Sequence, residues 1–317
     1  VCGSGMKTLM NAYASIKAGI HNVVVVGGTE NMSMTPYIVP NKVRNGIKMG
    51  GFNASDHMIA DALTDAFNNV HMGITAENIV DQFGLTREEQ DAFAYESQVK
   101  AIKSVDEDRF KDEIVPITVK LRRDEFVFDK DEYPNRRTSF EKLGKLRAAF
   151  KKEGSVTAGN SSGINDGASF MLVVSEEALK AYDLKPLVEV VGIGQGGVEP
   201  LVMGLGPVPA IKNVLESTNM SLSQMELLEL NEAFAAQSLG VVKSLAEVHD
   251  LSEEQIMERC NVNGGAIALG HPVGASGNRI TVTLIHEMIK RNNKFGLASL
   301  CIGGGMGTAV ILKNMEA

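Results

Sequence analysis

Gly274-Ala275-Ser276-Gly277, a helical run from Asn278 to Lys290, Leu297-Ala298-Ser299-Leu300-Cys301-Ile302 and then Gly303-Gly304-Gly305 form the stretch whose order decides the fold. A Gly-Ser-Gly turn feeds a helix, and the helix feeds an apolar strand that ends in glycines. The same order stands at the other end of the chain. There Cys2-Gly3-Ser4-Gly5 leads into a run from Met6 to Ala18, with Leu9, Met10, Tyr13 and Ile16 at helical spacing before Gly19. Val23-Val24-Val25-Val26-Gly27-Gly28 follows as a buried strand, apolar and β-branched on both faces. The two ends read as copies of one unit, α/β in class with a mostly parallel sheet.

Between them, from roughly Met34 to Gly159, the texture changes to charge-rich amphipathic segments, which predicts an inserted and partly helical domain. Thr86 with Glu89 three residues on is a capping box, and it predicts a helix from Arg87 to about Ser104. Leu172-Val173-Val174 reads as a further buried strand, Glu176 to Tyr182 as a helix, and Val188-Glu189-Val190-Val191 as the opening of a second α/β half. The expected organisation is residues 1–34 and 165–185 for the first half, 35–164 for the insertion and 186–317 for the second half.

A formal charge of −8 and a pI near 5.4 over 317 residues argue against nucleic acid, which needs a basic face. An anionic substrate would need a local patch instead. Arg136-Arg137 with Lys145, Arg147, Lys151 and Lys152 are the candidates, each with a solvated surface as its plainer alternative. No run of eighteen apolar residues exists, so no membrane span is expected. Cys2, Cys260 and Cys301 are too few and too scattered for a disulfide framework or a metal site, and a reducing cytoplasm suits them. The chain opens at Val1-Cys2 in mid-motif with no leader-like stretch, which leads us to expect a further segment ahead of it and no signal peptide.

Four residues carry the chemistry. Cys2 precedes a helix start, where free N–H groups and the dipole favour a thiolate and would bring its pKa down; a structural cysteine is the plainer alternative. His271 lies among glycines with Pro272 fixing the turn, a setting that core packing explains poorly. Cys301 stands at the end of a strand, on the side where α/β sheets bind ligands. Asn231 follows the apolar Leu227-Leu228-Glu229-Leu230 and has a helix N-cap as its ordinary role, with holding a water or carbonyl as the functional one. Two cysteines, a histidine and an asparagine at element ends suit thioester chemistry, in which a thiolate attacks, a histidine assists and a second thiol moves a proton. No spacing suggests a metal, and the glycine runs do not form a dinucleotide motif.

At these residues the sequence resembles the thiolase family, in its short-chain, biosynthetic acetyl-CoA acetyltransferase type. Cys2-Gly3-Ser4-Gly5, Gly27-Gly28-Thr29-Glu30-Asn31-Met32-Ser33, Asn231-Glu232-Ala233-Phe234, Gly270-His271-Pro272 and Cys301-Ile302-Gly303-Gly304-Gly305 occur in family order over essentially the whole chain. The resemblance implies two βαβαβαββ halves in five layers with a loop domain inserted in the first, and it implies strands ahead of Cys2. It implies that Cys2 carries the acyl group, His271 activates it and shares an oxyanion hole with a water on Asn231, Cys301 moves the α-proton, and the N–H groups of Cys2 and Gly303 form a second oxyanion hole. His71 and Met72 would line the acyl pocket; Leu143, Phe150, Ser162 and Ala235 would meet the pantetheine or adenine side; Arg136 and Arg137 would meet the phosphates. Asn135 stands where the family usually has a basic residue, two after Tyr133. The implied reaction joins two acetyl-CoA into acetoacetyl-CoA and CoA, with coenzyme A thioesters as substrates, no tightly bound cofactor, and a dimer or tetramer of the chain. A longer-chain 3-ketoacyl-CoA thiolase, a silent CoA-binding scaffold or fragment, and a decarboxylating condensing enzyme are the alternatives, the last disfavoured by Cys301.

Overall fold

The computed structural model describes residues 1–122 and 124–317. The chain opens with helix α1 (Ser4–Lys17) and strand β1 (Val23–Asn31). A long excursion then carries β2 (Tyr37–Ile38), β3 (Ser55–Asp56), α2 (Met72–Phe83), α3 (Arg87–Asp106), β4 (Ile117–Leu121), β5 (Asp124–Phe128) and α4 (Phe140–Gly144). The chain returns through β6 (Asp166–Val174) and α5 (Glu176–Ala181) to β7 (Val188–Gly197), α6 (Pro207–Thr218), β8 (Leu227–Leu230), α7 (Ala235–His249) and α8 (Glu253–Met257). It closes with α9 (Ala266–Leu269), α10 (Val273–Arg291), β9 (Phe295–Ile302) and β10 (Met306–Asn314).

The repeat read from the sequence is present in three dimensions. α1, β1 and β6 answer to α10, β9 and β10, and each strand pair is antiparallel. In the second copy the pair is joined by Gly303, Gly304 and Gly305, the last two at φ +91° and +86°, a backbone that residues with a Cβ rarely adopt. In the first copy residues 32–165 fill that gap. The helix over Arg87–Asp106 carries the expected capping box, with Thr86 Oγ1 accepting from Glu89 N at 3.1 Å and Thr86 N donating to Glu89 Oε2 at 2.6 Å.

Sheet direction departs from expectation. The second sheet runs β7-β10-β9-β8, and only β8–β9 is parallel among the described pairings. The three-glycine connection accounts for the β9–β10 pair, because it turns the chain back beside itself where a parallel neighbour needs a crossover.

α1 and α10 form the layer between the two sheets, with α6 against the far side of the four-stranded one. Gly5 and Gly277, which the sequence placed in turns, lie inside these helices. A Cβ on Gly5 would sit 2.7 Å from the backbone N of Asn278, and one on Gly277 2.6 Å from that of Met6, so the glycines are spacers at a helix crossing. Met6, Leu9, Met10, Ile280, Leu284 and Met288 fill the interface around them, each worth roughly 1.5–3 kcal/mol when buried. The expectation that Val23–Gly28 and Leu172–Val174 are buried on both faces is corrected. Val24 and Val26 face α1 and α10, and among the described residues β1 and β6 pair with each other and with no other strand; on their other face Val25 is 72% and Phe170 59% exposed.

Candidate active site

The crossing of α1 and α10 brings two chain ends to one place. Cys2 precedes α1, and His271 precedes α10 by a single residue, Pro272. A Cβ on Gly3 would lie 2.2 Å from Cδ1 of Ile302, so the start of α1 abuts the end of β9, which carries Cys301. The N–H groups of Gly303 and of Cys2 itself point at the Cys2 sulfur, and the charge of Glu30 is felt there too. Glu30 also accepts from Gly274 N at 2.9 Å, joining β1 to the first turn of α10.

The electrostatics of Cys2 reverse the expectation. Its residue is half-buried, yet desolvation at the sulfur dominates and pushes the thiol above its ordinary value, with the Gly303 N–H pulling the other way. Gly3 is the N-cap of α1 and Ser4 N is taken by the carbonyl of Val1, so the helix donates little to the sulfur. At rest Cys2 is a thiol and needs a base. His271 has the protonation state of a base: burial, with the charge of Arg279 second, pushes it down to about 4, so the ring is neutral at neutral pH. Its backbone N donates to Asn165 Oδ1 at 3.1 Å, its Nδ1 lies 2.6 Å from Ser276 Oγ, and its Nε2 is buried without a partner. Cys301 is fully buried, and burial, with Cys2 beside it, pushes its thiol up.

Asn231 is corrected as an N-cap. α7 begins four residues later with Phe234 at its cap position. Asn231 extends β8, its N–H donating to Ser299 O at 3.1 Å on β9, and both atoms of its side-chain amide are buried and unpaired. A buried amide with no partner costs free energy unless a water or substrate completes it.

Of the residues expected at the acyl and pantetheine side, Met72 comes against the Gly303 turn and the others make contacts of their own. Met72 reaches within 3.1 Å of where a Cβ on Gly303 would be. His71 caps α2, its Nδ1 accepting from Gly73 N at 3.0 Å, and its ring stacks on Phe150 at 4.7 Å. Phe150 meets Phe234 edge-on at 6.1 Å, Ser162 N donates to Ala233 O at 3.0 Å, and Leu143 and Ala235 share one apolar cluster with Ile267. Leu143 also borders a cleft of about 920 Å³ lined by Tyr133, Arg136, Arg137, Lys142 and Leu146.

The basic patch is only partly assembled. Arg136 and Arg137 line the cleft, with Arg136 paired to Asp106 at 2.9 Å. Lys145 pairs with Glu141 and Lys151 with Asp81, and these two, with Arg147 and Lys152, are not among the residues lining the cleft. Sequence reasoning missed Lys142 on the cleft, and Asn165, Ser276 and Glu232 behind the site. Glu232 alone had a legible signal, a carboxylate beside Asn231 between the apolar residues Leu230 and Ala233-Phe234. Among the described residues no group of three His, Cys, Asp or Glu side chains is arranged to hold a metal ion, and no helix is long and apolar enough to cross a membrane.

Residues 1–177 match the family described as "Thiolase, N-terminal domain" and residues 184–314 match "Thiolase, C-terminal domain". The chain is 51% identical over 317 residues to the acetyl-CoA acetyltransferase of Syntrophomonas wolfei, covering 99% of itself and 78% of that protein. It is 52% identical over 313 residues to the acetyl-CoA acetyltransferase of Pseudomonas aeruginosa, covering 98% and 77%. The crystal structure of the Bacillus anthracis acetyl-CoA acetyltransferase superposes with a TM-score of 0.93 at 46% identity, covering 99% of this chain and 77% of that one. Human mitochondrial 3-ketoacyl-CoA thiolase superposes with a TM-score of 0.93 at 43% identity and the same coverage.

Proposed function

The chain belongs to the thiolase family, and on that premise we propose that it is an acyltransferase, an acetyl-CoA C-acetyltransferase that condenses two acetyl-CoA into acetoacetyl-CoA and CoA, reversibly. The observation that carries this reading is the meeting of the Cys2 sulfur with the Gly303 N–H and the Cys301 thiol.

Proton bookkeeping assigns the roles. His271, neutral and with Nε2 bare, takes the proton of Cys2 as its sulfur attacks the acetyl carbonyl, and the N–H groups of Cys2 and Gly303 hold the oxyanion. Cys301 is a thiol at rest, so it must give a proton before it can take one, and the departing CoA sulfur is the acceptor. The Cys301 thiolate then removes the α-proton of the second acetyl-CoA. The enolate oxygen is held by His271 Nε2–H and by a water on the unpaired Asn231 amide. The enolate attacks acetyl-Cys2, and the leaving Cys2 sulfur recovers its proton from His271, which returns every group to its starting state.

Met72 and His71 bound the acyl end, with Phe150, Ser162, Leu143 and Ala235 along the pantetheine arm and Arg136 and Arg137 at the phosphates. We divide the chain as 1–34 with 165–185, 35–164 and 186–317, the middle segment serving CoA binding and contacts between copies in a dimer or tetramer. Three free thiols suit a cytoplasmic setting.

Mass spectrometry after brief incubation with acetyl-CoA tests the reading. The chain should gain about 42 Da on Cys2, and Cys2→Ala should gain nothing. A well-folded chain that stays unmodified overturns it.

A further inference from the structure

Glu232 is 2% exposed and directly follows Asn231. A carboxylate so placed costs free energy unless its oxygens are satisfied, and here every neighbour within reach is a donor. Oε2 accepts from Ser97 Oγ on α3 at 2.6 Å and from Ile267 N in α9 at 3.2 Å, and Oε1 accepts from Asn261 Nδ2 at 2.8 Å. Ile267 N and Asn261 Nδ2 can only donate, and the other oxygens of the cage already have donors of their own. Ser97 Oγ already accepts from Gly265 N at 3.0 Å, and Asn261 Oδ1 already accepts from Leu230 N at 2.8 Å. Burial pushes the Glu232 carboxyl above the ordinary carboxylate range, and the Ser97, Asn261 and Ile267 donors, with the charge of Lys100 on α3 behind them, pull the other way, so the cage favours the ionised form. A Cβ on Gly265 would fall 2.2 Å from the Glu232 carboxyl carbon, so the loop closes directly over it.

The chain path gives this cage its consequence. Asn261 also donates to Leu230 O at 2.8 Å, which fixes the end of β8 from which Asn231 projects. Ile267 belongs to the single turn Ala266–Leu269, and only Gly270 separates that turn from His271. One carboxylate thus ties together the strand end bearing Asn231, the turn leading into His271, and a helix of the inserted segment.

We propose that Glu232 is a positioning residue of the condensation, setting Asn231 against His271 through Ser97, Asn261 and Ile267 without touching substrate. The inference rests on the acetyltransferase reading given above. Glu232→Gln keeps the shape but brings an N–H₂ donor into a cage of donors, so the two enolate-binding groups should drift apart.

Steady-state kinetics with acetoacetyl-CoA and CoA separate the outcomes. In Glu232→Gln, kcat should fall about 10- to 100-fold, the scale of a misplacement near 1 Å, while KM stays within about threefold and the melting transition stays cooperative. Ser97→Ala should move kcat in the same direction by a smaller factor. A folded Glu232→Gln with wild-type kcat, or one whose loss lies wholly in KM, overturns the proposal. If Glu232→Gln does not fold, Ser97→Ala decides: a fall in kcat at constant KM supports it and an unchanged kcat overturns it. Cys2 acetylation of the wild-type chain keeps the two readings apart. Without it the acetyltransferase reading fails and takes this inference with it; with it and an unaffected Glu232→Gln, only the positioning role fails.

Discussion

Ser276 Oγ lies 2.6 Å from His271 Nδ1 and donates its own proton to the carbonyl of Pro272 at 3.0 Å. With the hydroxyl given to Pro272, Ser276 accepts from the ring, and Nδ1 then bears the hydrogen and Nε2 the lone pair, the tautomer that the proposed deprotonation of Cys2 requires. Ser276→Ala frees the ring to tautomerise and tilt. The expected result is a loss of about 10- to 100-fold in kcat/KM, the range in which a partner orienting an imidazole acts, with the melting temperature little changed. Kinetics equal to wild type would show that the ring is held by other means.

The pH profile follows from the same ring. Burial pushes His271 down to about 4, and burial pushes Cys2 up. The reactive pair, neutral imidazole beside neutral thiol, is therefore populated from about pH 4 through neutrality. An unburied histidine would lose its lone pair below about 6.5. Single-turnover acetylation of Cys2 should stay level from pH 8 down to pH 5 and fall only below that. A rate that halves near pH 6.5 would mean that the ring is solvated in the working enzyme.

Much of this centre was legible in the order of residues. The repeat was readable because each copy runs turn, helix, strand and glycines, and Cys2, His271, Cys301 and Asn231 all fall at element ends. What was not legible depends on the neighbour rather than on the residue. Gly5 and Gly277 look like turn glycines until the opposite helix is known to lie 2.6–2.7 Å from a Cβ there. Val25 looks buried because a continuous β-branched run cannot report whether a second layer covers the strand. The Cys2 thiol looks activated by a helix start, but its desolvation is a property of the assembled site. Ser276 and Asn165 carried no signal at all, since a serine in a helix and an asparagine in a loop acquire their roles only by facing His271.

Glu229, on the α10 side of β8 and 1% exposed, gives a stability test. Both its carboxylate oxygens are unpaired, and burial, joined by the charges of Glu113, Glu232 and Glu287 and opposed by Arg279, raises it to about 8. A group whose folded pKa lies above its unfolded value stabilises fully below the unfolded pKa, near 4.5, and loses that contribution as pH rises through about 8. Glu229→Gln has the same shape and cannot ionise. It should melt slightly above the wild type near pH 5 and well above it at pH 9, the gap widening by roughly 4 kcal/mol in the limit of full burial. Equal melting temperatures at pH 9 would show that water reaches the carboxylate.

In the proposed reaction, chain length should depend most directly on one side chain. Met72 leaves α2 toward the Gly303 turn, its Cε 3.1 Å from where a Cβ there would sit, and only 7% of the residue is exposed. It occupies space that a longer acyl chain on Cys2 would need, because the Gly303 N–H and the acyl carbonyl must stay together during attack. Met72→Ala removes that volume without touching a reacting group. In thiolysis, kcat/KM for a six-carbon 3-ketoacyl-CoA should rise against that for acetoacetyl-CoA by about 10-fold or more, since each methylene admitted to an apolar pocket is worth roughly 1 kcal/mol. Acetoacetyl-CoA itself should lose about threefold or less. If the ratio does not move, the acyl chain leaves Cys2 in another direction and Met72 is a packing residue of α2. If the wild type already prefers the six-carbon substrate, the 3-ketoacyl-CoA thiolase reading replaces the acetyltransferase one.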